Sequence, residues 1–379
     1  MSNIWDKDRL YDFLLPYINR SFRRAYRKVE YHGLENIPTD GAVIFAPNHA
    51  NTLMDALAVL SIENRKMVFV ARADIFRKKL AAKALAFLKI MPIYRQRDGL
   101  DTIKMNEAIF LKCEETLSHG VPFCILPEGT HRTMHSLLPL HKGIARIALG
   151  TVSRGTKVYI VPTGLEYEDY FRYRSRLLVN VGRPICIQSS NQKDKEELIS
   201  EIMAELTTRM KETIIYIPDN EDYAKTWDLA CRMYGSAPSK PRTLFGRLEF
   251  MQDAVSKIAS GSVDDVPPAR PSSSPVIKAA LLTVTFPLFL AAAVVLSPSL
   301  LITAYIKRGL RDRAFLNAIR FVCYTLVNPT LLLIVCAALL AVLPWWLCLL
   351  IYLFSFAAPA ILHDWINKKL FTEVQSISG

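Results

Sequence analysis

A histidine and an aspartate lie close together in the sequence, directly after an apolar segment that spans residues 42–46. The segment is followed by Asn48 and His49, and Asp55 comes after five intervening residues. Enzymes with α/β folds commonly place active-site residues where buried strands end. A carboxylate can orient an imidazole and stabilise its charged form, so this pair could take a proton from a hydroxyl. The alternative is a capped helix start, in which a short polar side chain such as Asn51 accepts hydrogen bonds from free backbone amides.

Three further segments could serve the same reaction. Residues 92–99 hold Arg95 and Arg97, whose planar guanidinium groups suit phosphate recognition, although a solvated basic turn would look the same. Residues 127–132 read Pro-Glu-Gly-Thr-His-Arg after an apolar run, and the glycine would let backbone amides approach an anion closely. An ordinary strand-ending turn is the alternative for this segment. Residues 160–164 read as a strand that ends in Pro and Gly, which we expect to shape the wall or floor of a pocket.

Taken in order over about residues 30–190, these four segments resemble the glycerolipid acyltransferase family. This family includes glycerol-3-phosphate and 1-acylglycerol-3-phosphate acyltransferases. The resemblance implies transfer of a fatty acyl group from acyl-CoA or acyl-carrier protein to a hydroxyl of a glycerol phosphate. We expect the acyl donor to be a co-substrate, with no other cofactor and no metal site.

The chain departs from the family's pattern at two positions. Most members separate the histidine and the aspartate by four residues, whereas five lie between His49 and Asp55. In a helix, one extra residue would rotate a side chain by about 100°, so the local turn must adjust to keep the contact. His131 stands where many members have an arginine.

The longer gap most resembles the fungal-type acyltransferases that use glycerol-3-phosphate or dihydroxyacetone phosphate. We therefore predict glycerol-3-phosphate as the acceptor, with 1-acylglycerol-3-phosphate as the alternative. A non-catalytic, lipid-binding membrane scaffold is the alternative from another functional class.

The predicted roles follow from acyl transfer to a hydroxyl. His49 is predicted to be the base that Asp55 orients, and backbone amides near the motif turns are expected to bind the oxyanion. Glu128 is expected to bind the glycerol hydroxyl or to organise the arginines rather than to act as a second base. No Gly-x-Ser-x-Gly motif is present, so we expect direct transfer without an acyl-enzyme. The residues predicted to bind substrate are Asn51, Arg95, Arg97, Glu128, Gly129, Thr130, Arg132 and Lys142.

Short apolar strands alternate with helical patterns over residues 31–190, which predicts an α/β acyltransferase domain with a mixed sheet flanked by helices. Residues 191–260 are predicted to form a charged helical extension. The predicted strands are 42–46, 67–71, 121–126, 158–161 and 177–181, and the predicted helices are 52–61, 78–89, 102–118 and 143–150.

The first 30 residues are predicted to form an amphipathic helix, with its helical pattern over residues 7–28. Apolar and aromatic side chains recur at helical spacing, and several arginines supply positive charge. A helix of this kind can lie in a membrane interface, and packing on its own domain is an equally good interpretation. Pro16 is expected to kink or split the helix in either case.

The composition favours a membrane partner. The apolar content is 51%, concentrated toward the C-terminus, and the formal net charge is +12. Positive charge favours an anionic partner, and basic residues interleaved with long apolar segments favour a bilayer over nucleic acid. We therefore expect the acyl donor, the glycerol-phosphate acceptor, the lipid bilayer and possibly acyl-carrier protein as partners.

The C-terminal third is predicted to be a membrane domain, 276–365, after a Pro- and Ser-rich linker at 261–275 and before a tail at 366–379. Two uncharged runs, 279–306 and 321–362, flank a basic loop that is expected to face the cytoplasm. For the loop to share a side with a cytoplasmic catalytic domain, the first run must not cross completely. We therefore predict a re-entrant hairpin followed by a true hairpin in an integral membrane protein.

Overall fold

The computed structural model describes residues 4–94, 102–188, 194–263 and 275–370. This part of the chain contains eight strands that form one mixed sheet. Their bounds are β1 Lys28–His32, β2 Ala42–Pro47, β3 Val68–Arg72, β4 Ile90–Ile93, β5 Phe123–Cys124, β6 Val158–Tyr167, β7 Arg176–Val181 and β8 Ile185–Ile187. The predicted mixed sheet is therefore present.

The strand order is β1-β7-β6-β2-β5-β3-β4, and β8 also pairs with β6. Strand β6 is antiparallel to β7 and β8, whereas the other pairs are parallel. All six residues of β2 are buried, because this central parallel strand is covered on both faces. The carboxyl ends of β2 and β5 meet at one edge of the sheet, where their following loops come together.

Helices cover both faces of the sheet. One face packs against α4, α5 and α6, and the other packs against α1, α2 and the C-terminal helices. The bounds are α1 Arg9–Ala25, α2 Leu53–Leu60, α3 Lys79–Phe87, α4 Thr102–Ser118, α5 Gly143–Ser153, α6 Lys195–Thr213, α7 Tyr223–Ser236, α8 Leu244–Ala259, α9 Pro275–Val295, α10 Ser297–Arg308, α11 Leu316–Val322, α12 Asn328–Leu339, α13 Trp345–Ser355 and α14 Ala358–Leu370.

The sequence predictions missed three strands and placed the end of a fourth too early. Strands β1, β4 and β8 were not predicted, and β1 overlaps the end of the predicted N-terminal helix. Strand β6 does not end at Pro162 but continues to Tyr167. Pro162 is tolerated because it lies where β6 changes its antiparallel neighbour from β8 to β7, so its missing N–H breaks no ladder bond there.

Helix α1 packs on its own domain, which was one of the two interpretations of its sequence. Tyr11, Leu15 and Phe22 are buried in the core beneath it. The helix runs through Pro16 without a break, so the expectation that this proline could split the helix was wrong. Buried side chains on both sides of the proline stabilise the continuous helix. Phe13 remains 78% exposed on the opposite face.

The C-terminal helices form one continuous apolar helix and two bent pairs among the described residues. The continuous helix spans Arg313–Leu339, with a π-helical turn at Cys323–Val327 between α11 and α12. The bent pairs are α9 with α10, at 70°, and α13 with α14, at 49°. By length and composition the continuous helix could cross a membrane, and so could each bent pair if it forms one span.

These apolar helices also pack directly on the α/β domain. Phe321 and Leu362 belong to the same buried cluster as Phe45 of β2. The hydroxyl of Tyr17 on α1 donates to the carbonyl of Thr325 at 2.6 Å. The C-terminal region is therefore part of the structure that surrounds the sheet.

Candidate active site

The candidate site begins where β2 ends. The loop after Pro47 carries His49, and Asp55 lies in the first turn of α2. His49 Nδ1 lies 2.8 Å from Asp55 Oδ2, so the structure brings the predicted pair into hydrogen-bond contact. An ionised carboxylate only accepts hydrogen bonds, so Nδ1 carries the proton and Nε2 keeps its lone pair. The His49 side chain is 16% exposed and that of Asp55 is fully buried.

Backbone and side-chain donors surround the Asp55 carboxylate. The backbone N–H groups of Ala50 and Asn51 donate to Oδ2 at 2.9 and 2.7 Å. The Tyr167 hydroxyl donates to Oδ1 at 2.7 Å. Burial, followed by the negative charge of Asp55, raises the pKa of Tyr167 well above its ordinary value, so the phenol stays a donor. This network compensates a buried charge and fixes the orientation of the carboxylate.

The extra residue between histidine and aspartate is absorbed in the loop. Helix α2 starts only at Leu53, so the helical rotation that an inserted residue would cause does not apply. Thr52 instead adopts φ of +50°, a conformation that is uncommon for a β-branched residue. The loop around Thr52 therefore takes up the extra residue, and His49 and Asp55 remain in contact.

Glu128 is positioned differently from its prediction. It is 3% exposed, and its two oxygens accept hydrogen bonds from the backbone N–H groups of His49, at 2.7 Å, and Leu138, at 2.9 Å. Burial raises the pKa of Glu128, and these hydrogen bonds only partly oppose it. The backbone N–H of Arg132 donates to the carbonyl of His49 at 2.9 Å. The Pro-Glu-Gly-Thr turn therefore holds the backbone of the base at both its N–H and its carbonyl.

Gly129 and Thr130 lie exposed at the same turn. Gly129 has φ of +64°, and a Cβ at this position would lie 2.6 Å from Cδ2 of His141. The glycine is therefore required by both backbone conformation and space.

Asn51 does not lie at an open substrate surface. It is fully buried, and its Nδ2 donates to the carbonyl of Tyr170 at 3.0 Å. Asn48, one residue before the base, exchanges two hydrogen bonds with the backbone of Leu165 on β6. These two amides fix the loop around His49 to the neighbouring strand and its following loop.

The predicted phosphate-binding cations are only partly assembled around the pair. Arg132 lies in the site loop, where its guanidinium binds Asp219 and donates to Ser136 Oγ at 3.0 Å. Lys142 forms an exposed ion pair with Glu196 of α6 at 3.4 Å. Arg95 and Arg97 lie outside the described residues.

Two residues near the pair, His131 and its partner Asp312, were not among the predicted site residues. The ring of His131 stands edge-on to the His49 ring, with centroids 5.5 Å apart. His131 Nε2 lies 2.6 Å from Oδ2 of Asp312, which precedes α11. The position of His131 in the Pro-Glu-Gly-Thr segment was the available signal, whereas nothing in the sequence linked Asp312 to the site.

His131 and His135, four residues apart in the sequence, do not share a common site. His135 is buried elsewhere, with Nδ1 3.3 Å from Glu166 and its ring stacked on Trp227. Within the residues that the structure describes, no cluster of three or more His, Cys, Asp or Glu side chains has the arrangement of a metal site.

Comparisons with known proteins identify relatives of this region. The Acyltransferase family model matches residues 28–166. Glycerol-3-phosphate O-acyltransferase 2 of Saccharomyces cerevisiae is 31% identical over 98 residues, which cover 25% of this chain and 13% of that protein. The 1-acyl-sn-glycerol-3-phosphate acyltransferase alpha of Mus musculus is 23% identical over 193 residues, which cover 49% of this chain and 64% of that protein.

Each of these matches spans less than two thirds of the relative's own length. The crystal structure of the 1-acyl-sn-glycerophosphate (LPA) acyltransferase PlsC from Thermotoga maritima is 20% identical over 54% of this chain and 83% of that chain, with a TM-score of 0.38. A structural likeness of this size carries no argument about the site.

Proposed function

We propose that the protein transfers a fatty acyl group to a hydroxyl of glycerol-3-phosphate, since residues 28–166 match the Acyltransferase family model and are similar to glycerol-phosphate acyltransferases. The acyl donor is acyl-CoA or acyl-carrier protein, used as a co-substrate, and no other cofactor is invoked. The observation that carries the proposal is the contact of 2.8 Å between His49 Nδ1 and the buried carboxylate of Asp55. This contact leaves Nε2 as the basic nitrogen of a partly exposed imidazole.

The reaction proceeds by direct attack on the thioester. His49 Nε2 takes the proton of the acceptor hydroxyl as its oxygen bonds to the thioester carbonyl carbon. Asp55 stabilises the imidazolium that forms. When the tetrahedral intermediate collapses, the carbon–sulfur bond breaks and the thiolate receives the proton from His49. The ester and the free thiol are the two products.

The oxyanion of the intermediate needs hydrogen-bond donors that no buried carboxylate already occupies. The backbone N–H groups of His49, Ala50 and Asn51 donate to Glu128 or Asp55. These three amides therefore do not serve as oxyanion donors. The N–H of Gly129 already donates to the carbonyl of Leu126 at 3.1 Å, so we place the oxyanion beside the exposed Thr130 of the same turn.

The acceptor phosphate requires positive charge near the base. Arg132 and His131 lie in the loop that holds His49, so we assign them to the phosphate, with Arg95, Arg97 and Lys142 as further candidates. The acceptor 1-acylglycerol-3-phosphate is a second candidate. It is favoured by the apolar helices that reach the site, since they offer a route for a lipid acceptor from a bilayer.

We propose that the C-terminal helices hold the protein in a membrane, with the α/β domain on the cytoplasmic side. Large apolar side chains are exposed along these helices and the turn after α12, including Val284, Leu301, Ile334 and Val342 at 79, 72, 64 and 77% exposure. Such a surface is expected to face lipid rather than water. The 70° bend between α9 and α10 supports a re-entrant hairpin, and the continuous helix with α13 and α14 supports the following hairpin. A tag fused to Gly379 would be cytoplasmic in this topology, and an extracytoplasmic tag would contradict it.

Acyl transfer is tested on membranes that contain the full chain. Labelled glycerol-3-phosphate and 1-acylglycerol-3-phosphate are each supplied with acyl-CoA and with acyl-carrier protein. We expect His49→Ala to reduce product formation by about 100- to 10,000-fold while the protein stays folded. His119→Ala, at an exposed histidine directly after α4, is the matched control and should remain active. No product with either acceptor would instead favour the non-catalytic lipid-binding scaffold.

A further inference from the structure

The loop that joins α10 to α11 lies on the candidate active site. Its Asp312 contacts His131 Nε2 at 2.6 Å, and its Phe315 ring meets the His131 ring edge-on with centroids 5.2 Å apart. The Thr52 hydroxyl donates to the carbonyl of Ala314 in the same loop at 3.4 Å. One short segment between two apolar helices therefore touches both turns that build the site.

Acidic residues from outside the acyltransferase match engage two basic side chains of the site. Asp312 binds His131, and Asp219, in the segment before α7, binds Arg132. Both carboxylates lie beyond the region of residues 28–166. These carboxylates occupy side chains that an acceptor phosphate would need.

Of these two pairs, Asp312 and His131 lie beside the ring of the proposed base, His49. The His131 and His49 rings stand edge-on, with centroids 5.5 Å apart. A glycerol phosphate carries its hydroxyl and its phosphate on one short carbon backbone. When the hydroxyl reaches Nε2 of His49, the phosphate is therefore within reach of His131.

We propose that Asp312 sets the affinity of the acceptor site by competing with the acceptor phosphate for His131. Phosphate binding displaces the carboxylate and releases the loop of residues 309–315 from the site. This inference deepens the proposed function, because it rests on a phosphorylated acceptor. It also makes the occupancy of the site and the position of the loop mutually dependent.

The chemistry of Asp312 suits a contact that a phosphate can break. Burial alone would raise the pKa of Asp312, but hydrogen bonds from the Ala314 backbone N–H and from His131 outweigh it and hold the pKa below its ordinary value. The carboxyl is therefore ionised at neutral pH. Its side chain is 49% exposed, and ion pairs of this kind are weak. A phosphate monoester carries about −1.5 to −2 charges and can outcompete a single carboxylate.

Asp312→Asn tests the proposal without disturbing the backbone. Asp312 Oδ1 accepts from the Ala314 N–H at the start of a short helical turn, and asparagine caps such turns equally well. We expect full-chain Asp312→Asn in detergent to bind inorganic phosphate and glycerol-3-phosphate about two- to sixfold more tightly, measured by calorimetry. Asp253→Asn, at an exposed ion pair on α8, controls for the change in net charge and should bind like the wild type.

The dependence on His131 separates competition from a general charge effect. In the His131→Ala background, Asp312→Asn should change phosphate affinity by less than about 1.5-fold, since the residue that it competes for is absent. An equal gain in both backgrounds would overturn the proposal. Unchanged or weaker phosphate binding by Asp312→Asn alone would overturn it as well.

Limited trypsin digestion reports the loop without requiring acyl transfer. Lys307 and Arg308 border the loop, and Arg311 and Arg313 lie within it, so all four are possible trypsin cleavage sites. Phosphate should speed cleavage there in the wild type, whereas Asp312→Asn should be cleaved quickly with or without phosphate. If phosphate opens the loop but no acyl transfer occurs, the proposed function fails and the competition stands. If acyl transfer occurs but phosphate leaves cleavage unchanged, the competition fails and the proposed function stands.

Discussion

The hydroxyl of Tyr167 donates a hydrogen bond of 2.7 Å to Oδ1 of Asp55, the carboxylate oxygen that His49 does not contact. The two residues come from different elements, the end of β6 and the first turn of α2. The sheet therefore supports the pair of His49 and Asp55. Without the phenol, one oxygen of a fully buried carboxylate would lose its side-chain donor.

Tyr167→Phe is expected to destabilise the protein and to slow the reaction. A hydrogen bond to a charged group contributes about 1.5–3 kcal/mol, so we expect a loss of this order in the free energy of unfolding. We also expect kcat to fall because Asp55 is held less firmly against His49. Tyr159→Phe, which removes the hydroxyl that donates to the exposed Asp40, is the matched control. Equal free energies of unfolding, measured with denaturant, and equal initial rates for the two variants would contradict the role of Tyr167 in holding Asp55.

The buried carboxyl of Glu128 is expected to make stability depend on pH. Its pKa is raised above the ordinary value of 4.5, chiefly by burial, so the folded protein keeps this proton to higher pH than the unfolded chain. The unfolded state therefore binds fewer protons in the window above pH 4.5, and the contribution of this group to stability falls as pH rises through its folded pKa.

Glu128→Gln isolates this effect, because glutamine does not titrate. Glutamine also replaces one accepting oxygen by an NH₂ group, so the variant is expected to be less stable throughout. The wild-type advantage in the free energy of unfolding should shrink as pH rises above 4.5. Denaturant unfolding of both proteins at a series of pH values measures this difference in the free energy of unfolding. Parallel pH curves for the two proteins would show that Glu128 does not titrate differently on folding.

Gly129→Ala is expected to damage the turn that holds the base. A residue with a side chain at positive φ costs about 1–2 kcal/mol, and the new Cβ would also press against the His141 ring. Gly155→Ala is the matched control, because Gly155 has φ of +83° and no atom within 4 Å of the added Cβ. The excess loss of stability and activity in Gly129→Ala over this control measures the contact. This excess loss should largely disappear in the double variant Gly129→Ala/His141→Ala.

The local pattern of the sequence predicted the central part of the fold and the reactive pair. Strands such as β2 are continuous apolar runs, and the pairing of His49 with Asp55 depends on a few neighbouring residues. Strand β1 was missed because it lies at the edge of the sheet, where half-exposed residues such as Glu30 and His32 break the apolar signal.

The supporting contacts of the site could not be read from spacing. Tyr167 meets Asp55 across 112 positions of sequence, and Asp312 meets His131 across 181. Only the packed structure brings such residues together. The direction of a side chain is equally hidden, since Glu128 was expected to face the acceptor or the arginines and instead accepts from two backbone amides.

The first turn of α13 is expected to lie at a membrane surface. Trp345 and Trp346 are 69 and 51% exposed there, although burial of aromatic rings is strongly favourable. Tryptophan is enriched where a bilayer meets water, so these two rings should contact lipid. In vesicles that contain brominated lipids, Trp345→Phe/Trp346→Phe should remove most of the quenching of tryptophan fluorescence. Trp227→Phe should leave the quenching unchanged, because Trp227 stacks on His135 inside the α/β region. Equal quenching in the wild type and the double variant would place this turn away from the bilayer and would contradict the proposed membrane arrangement.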